Sequence, residues 1–135
     1  MRLAIDSNIV FSVIISKKGK TAELLFKKEV EVFAPKMLIE ELDEHKQELI
    51  QKSGMVLEEF ELFKIAIFSK LKFVPNSELF PFIERADEIC PDPDDVAFFA
   101  LCLSKGIPLW SNDKKLKQQK LVKVINTEEL VKEFI

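Results

Sequence analysis

A three-layer α/β/α sandwich around a mostly parallel central sheet is the fold class this sequence predicts, on three observations. Short apolar strands alternate with helical segments, and parallel strands need crossover connections of that kind. The run Ile107-Pro108-Leu109-Trp110 is apolar without alternation, as befits a strand buried on both faces. The 135 residues are 47% apolar with only three glycines and six prolines, the composition of one compact domain over residues 1–135 with long helices.

The elements follow in order. Leu3 to Asp6 reads as a short buried strand, followed by Ser7-Asn8 and a further apolar run. Lys17-Lys18-Gly19-Lys20 reads as a turn, after which Thr21 caps a helix reaching about Glu29. Val30 to Ala34 alternates as a strand does. A helix is expected from Pro35, whose missing N–H suits a helix start, to Ser53, with Leu38, Leu42, His45 and Leu49 on one stripe and Gly54 as its stop. A second helix, Met55 to Lys70, sets Leu57, Phe60, Phe63 and Ile67 on one side, so the two predict an antiparallel hairpin. Lys72 to Pro75 reads as a strand, and Asn76 or Ser77 opens a helix through Leu79, Phe82 and Ile83. The turn Pro91-Asp92-Pro93-Asp94-Asp95 starts the most apolar helix, Val96 to Ser104, ended by Lys105-Gly106. Strands at Ile107–Trp110 and Val122–Ile125 follow, and Asn126 or Thr127 caps a last helix, Glu128 to Phe134.

No apolar run approaches the ~18 residues of a membrane span, and an acid at position 6 interrupts any signal-peptide core. A soluble cytoplasmic protein is expected. The net charge of −3 argues against a general nucleic-acid coat. It does not exclude a nuclease, whose acidic excess would sit beside bound cations. Lys114, Lys115, Lys117, Lys120 and Lys123 make the C-terminal quarter locally basic; a solvated lysine face is the favoured reading, a phosphate track the other. Cys90 and Cys102 lack metal-like spacing, and no disulfide is expected.

Four acids stand out. Asp6, Glu41, Asp95 and Asp113 are each flanked by apolar sequence that belongs to a core. Carboxylates gathered there repel one another and resist ionisation unless something positive sits among them. A divalent cation with oxygen ligands, Mg²⁺ or Mn²⁺, is the usual answer, and it points to chemistry on phosphates. Each acid also has a plain structural use. Asp6 could close an Asx turn, Glu41 could be a solvated helical glutamate, and Asp95 and Asp113 could cap helices. The conjunction weakens those readings, as do the carboxyl ends of parallel strands, where Asp6 and Asp113 fall and where such sheets bind ligands.

Across nearly the whole chain, the conjunction resembles the PIN domain family, the nuclease fold of many prokaryotic toxins of the VapC type and of RNA-processing enzymes. The motifs are Asp6-Ser7-Asn8, then Glu41-Leu42, then Asp95-x-x-Phe98-Phe99-Ala100, and Gly106-x-Pro108-Leu109-x-Ser111-x-Asp113. The sequence departs from the pattern at Phe98-Phe99, where smaller residues are usual, and at Ser111 in place of threonine. The resemblance implies that Asp6, Glu41, Asp95 and Asp113 hold Mg²⁺ or Mn²⁺ and form the catalytic set. Asp92 is either an outer ligand or a cap, and Asn8 and Ser111 orient the carboxylates. His45, four residues after Glu41, is expected to be packed or to face substrate, as are Lys114 and Lys115.

The implied function is metal-dependent hydrolysis of RNA, with a homodimer and an antitoxin protein as expected partners. With no tyrosine, base stacking would fall to Phe, Trp110 or His45. Two other functions suit an α/β domain with an acid after its first strand. A phosphotransfer enzyme of the haloacid-dehalogenase or receiver type is disfavoured because position 8 is Asn and no lysine follows Trp110 in the right context. A catalytically silent RNA-binding or protein-interaction module is disfavoured because unpaired buried acids destabilise a fold that does not use them.

Overall fold

The strands are apolar because the sheet they form is covered on both faces. In the computed structural model, which describes residues 1–135, five strands build one sheet: β1 (Arg2–Ile5), β2 (Glu31–Pro35), β3 (Leu71–Val74), β4 (Leu109–Trp110) and β5 (Val124–Ile125). Its order is β3-β2-β1-β4-β5, and every pairing is parallel. Side chains alternate across it. Leu3, Ile5, Val32, Ala34, Trp110 and Ile125 enter one core, and Ala4, Phe33, Leu109 and Val124 enter the other.

The first core is covered by α1 (Ser7–Ser16), α2 (Lys20–Leu25), α3 (Met37–Glu44), α4 (Lys46–Ser53), α5 (Leu57–Lys70) and the C-terminal Thr127–Phe134 helix. The second lies under α6 (Asn76–Leu79), α7 (Ile83–Ile89) and α8 (Val96–Lys105), whose Phe98 to Cys102 are all buried. The last helix, α9, starts in a capping box: Asn126 Oδ1 accepts from the Glu129 N–H at 2.8 Å. Three layers result, as expected.

Several boundaries differ from expectation for identifiable reasons. The apolar run after Asp6 is a helix despite its β-branched content. Ile9, Val10, Val13 and Ile14 are buried at helical spacing, and Asp6 caps the first turn. The long helix expected from Pro35 begins later, because Pro35 completes β2, and it breaks at His45. There the Glu41 carbonyl takes both the His45 N–H at 3.1 Å and the ring Nδ1 at 2.9 Å, and the His45 backbone leaves the helical region at φ −100°, ψ 7°. A carbonyl only accepts, so Nδ1 carries the proton.

Gly19, not Thr21, precedes α2. Leu57 is half exposed, because the first turn of α5 projects off the core while Phe60 and Ile67 are buried. Both cysteines are free.

Candidate active site

The β1–β4 register sets two strand ends side by side, pairing Ile5 with Trp110. Two further bonds extend this alignment past the strands: Asp6 N–H to the Trp110 carbonyl and Ser111 N–H to the Ile125 carbonyl, each at 3.0 Å. Asp6 and Ser111 are therefore neighbours, both almost fully buried. Ser111 Oγ donates to Asp6 Oδ2 at 2.7 Å and accepts from the Asp113 N–H at 3.1 Å, so one hydroxyl places two acids. Asp6 Oδ1 accepts from the Asn8 N–H at 3.3 Å. Asn8 thus acts on Asp6 through its backbone, and its exposed side chain lines the cleft beside it.

Glu41 approaches from α3. Its Oε2 accepts from Ser7 Oγ at 3.0 Å, and its Oε1 is buried with no partner at all. A carboxylate oxygen held out of water without a donor is costly unless something supplies positive charge. Ser7 is the contact that the sequence did not single out. Its signal was present, since it lies inside Asp6-Ser7-Asn8 and does for Glu41 what Ser111 does for Asp6.

Asp95 stands at the start of α8 but makes no cap bond with its side chain, so capping does not explain it. Asp92 does cap: its Oδ1 accepts from the Asp94 N–H at 3.0 Å, and its Oδ2 pairs with Lys115 Nζ at 3.2 Å. Asp113 likewise accepts from the Lys115 N–H at 3.0 Å, opening the short 3-10 turn Lys114–Gln118. The Asp113 cap leaves its second carboxylate oxygen unengaged, whereas both oxygens of Asp92 have a donor. Asp92, Asp95 and Asp113 can each bring an oxygen within 4.8 Å of the other two. The tightest acidic trio therefore includes Asp92, with Asp6 and Glu41 tied in beside it through Ser111 and Ser7.

The electrostatics agree with that crowding. Burial raises the Asp6 carboxyl above its ordinary range, against the pull of its bonds from Ser111 and Asn8. Burial also raises Glu41, opposed by its bond from Ser7. Asp95 is pushed up to about 7, first by burial and then by the charges of Asp6, Asp92, Asp113 and Glu41. Asp92 is held low by the Asp94 N–H and Lys115. Among five acids only one, Asp92, has a cation beside it.

His45 lies on the other side of Glu41, in a cavity with Glu40, Met37 and Ile83, and its ring packs on Phe11 with centroids 5.1 Å apart. Lys114 is exposed and pairs with no acid, whereas Lys115 is committed to Asp92.

No helix is long and apolar enough to cross a membrane. No curated protein matches the chain by sequence. Among solved structures, it resembles the VapBC2 complex of Rickettsia felis bound to a DNA fragment from its promoter. That match has a TM-score of 0.67 and 15% identity, covering 93% of this chain and 98% of the other. At that identity the likeness concerns the fold. The PIN domain family model matches residues 4–134, from β1 through α9 and so across all five acids. The chain belongs to the PIN domain family.

Proposed function

We propose that this protein is a metal-dependent endoribonuclease that hydrolyses RNA phosphodiester bonds, the toxin of a toxin–antitoxin pair. The observation that carries the reading is the unpartnered, buried Oε1 of Glu41 beside an Asp95 raised to about 7. A cluster in this condition fits a hard divalent cation with oxygen ligands. Asp6, Glu41, Asp95 and Asp113 would hold Mg²⁺ or Mn²⁺, with Asp92 on the outer side. The ion would supply charge neutralisation at the scissile phosphate and an acidified water for attack.

The protein's own groups do the positioning. Ser111 fixes Asp6 and the Asp113 backbone in one orientation, and Ser7 turns Glu41 so that Oε1 faces inward. Asp95, raised to about 7, is about half protonated at neutral pH and would give up that proton on holding a cation. Lys115 holds Asp92 and stands, with Lys114, where phosphate would approach.

An antitoxin partner is supported by the VapBC2 complex that shares this fold. A homodimer is supported by the exposed Leu62 and Ile65 of α5, 69% and 62% accessible. A cytoplasmic location belongs with the same reading, as does a single domain over residues 1–135.

The test is incubation of mixed single-stranded RNA with the purified protein in Mn²⁺, Mg²⁺ or EDTA, alongside Asp95→Asn. Cleavage that needs the metal and vanishes in the variant is expected. Undiminished cleavage in EDTA would sink the proposal.

A further inference from the structure

Positive charge is not distributed as the chain order suggests. Of the C-terminal lysines, Lys115 pairs with Asp92 and Lys117 with Glu129. A second basic surface, without ion pairs, lies at the opposite end of α1 from the acids. Lys17, Lys18, Lys20 and Lys27 surround an open cavity of about 650 Å³ with Phe26, and Glu23 is the one acid among them. None of the four lysines forms an ion pair. Four lysines against one glutamate concentrate positive charge on a chain whose net charge is −3.

Between this cavity and the acids lies the solvent-facing side of α1, where Asn8 and Ser12 are exposed and Phe11 and Ile15 half-buried. Asn8, Phe11, Ser12 and Ile15 form one stripe of α1, spaced i, i+3, i+4 and i+7, and face His45, Leu49 and the Glu48–Lys52 ion pair across a cavity of about 350 Å³. Asn8 and Ser12 also line the neighbouring cleft that reaches Asp6 and Asp113. At the far end, Lys17 Nζ donates to the Ser53 carbonyl at 2.7 Å, which closes α4 against the start of the basic cavity. The ten residues of α1 set the two ends about 15 Å apart.

We infer that the strand of RNA flanking the cleaved bond runs along α1, its phosphates held by Lys18, Lys20 and Lys27 and its bases against the Phe11–His45 pair. This rests on the nuclease reading and adds where the substrate is gripped. Phosphate repelled by five carboxylates at one end needs a cation-rich anchor at the other, and an aromatic platform between them is tolerant of base identity. Lys17 is left out of the contact set because its ammonium is committed to Ser53.

The test is RNA binding in the Asp95→Asn background, where cleavage does not intrude, by titration of a labelled single-stranded RNA across salt concentrations. K18A/K20A/K27A, all at exposed or half-buried positions, is expected to weaken binding and to flatten the log–log salt slope by about 2, at ~0.7 per lysine. K120A/K123A, at exposed lysines elsewhere, is expected to leave the slope unchanged. A triple variant indistinguishable from that control overturns the inference. So does one that loses binding to an acidic peptide while keeping its RNA affinity.

With Asp95 intact and Mn²⁺ present, the triple variant should cleave a dinucleotide at the wild-type rate, since its one phosphodiester cannot lie at the acids and also reach lysines about 15 Å away. Its kcat/KM on longer RNA should fall. Equal loss on both lengths overturns the track. A flattened salt slope with no cleavage by any form removes the nuclease reading and leaves the basic site standing.

Discussion

The strand-end side and the helix side of the acidic cluster hold their carboxylates in opposite ways. At the strand ends, Asp6 has a donor on each oxygen and Asp113 is fixed by Ser111 and by its own cap. On the helices, Glu41 keeps one buried oxygen without a partner and Asp95 accepts no cap bond. Hydrogen bonds have therefore been spent on the acids that the sheet positions and withheld from those the helices bring. The first pair is organised before anything binds; the second is left for a ligand to satisfy. Fold and site overlap on one side of the cleft and separate on the other.

Substitution at Asp6 and at Asp95 should break that comparison most sharply. Both Asp6→Ala and Asp95→Asn should abolish Mn²⁺-dependent RNA cleavage, read on a gel. Their stabilities should diverge. Asp6→Ala removes a helix cap and strands the Ser111 hydroxyl, a loss of about 1–3 kcal/mol. Asp95→Asn removes like-charge repulsion and should raise the Tm of the metal-free protein at pH 8. Equal and opposite-sign behaviour failing to appear in thermal melts would erase the distinction.

The two serines sharpen it. Ser111→Ala leaves a buried Asp6 oxygen and the Asp113 N–H without partners, so a loss of about 1–3 kcal/mol is expected in urea unfolding, with metal affinity down about 10–100-fold. Ser7→Ala frees an acid that is already half unsatisfied and should cost less. Calorimetry with Mn²⁺ that ranks Ser7 above Ser111 would reverse the assignment.

The pH dependence isolates Asp95. Its folded carboxyl titrates at about 7 against an ordinary 3.8. Between those values the folded protein retains a proton that the unfolded chain has released. Stability from this group is therefore lost as pH rises from about 4 to about 7 and is flat above. The Tm gap between Asp95→Asn and wild type should widen over that window, and a constant gap would contradict it. Mn²⁺ affinity should rise over the same interval. The smallest effect is expected at Lys115→Ala, an exposed pair that should leave the melting curve unmoved while altering only how Asp92 sits.

Much of this was legible in the chain. The parallel sheet followed from uninterrupted apolar strands such as Leu109-Trp110, and the strand-end acids from the residues just beyond them. What escaped depended on contacts between distant residues. The run after Asp6 is rich in Ile and Val, whose local preference is extended, and only burial against the sheet makes it helical. The break at His45 coincides with a ring nitrogen reaching a carbonyl in its own helix, a contact no periodicity shows. The pairing of Lys115 with Asp92 joins positions 23 residues apart, which no periodicity reveals. The gathering of Lys17, Lys18, Lys20 and Lys27 around one cavity depends on how the α1–α2 turn and the end of α2 fold together.

The bond from Ser111 to Asp6 spans 105 residues of sequence, and that separation has a consequence for synthesis. β1, the central strand, emerges first and can pair with β2 early, but its other neighbour, β4, is made late, so the pocket between them is among the last features to form. With chains growing at about 5–20 residues per second, Asp6 waits several seconds for its partner. A ribosome that stops before residue 111 leaves a product with four of the five acids and without the serine that orients Asp6. Whatever hydrolytic capacity this chain has is withheld from the machinery that is building it until translation is nearly complete.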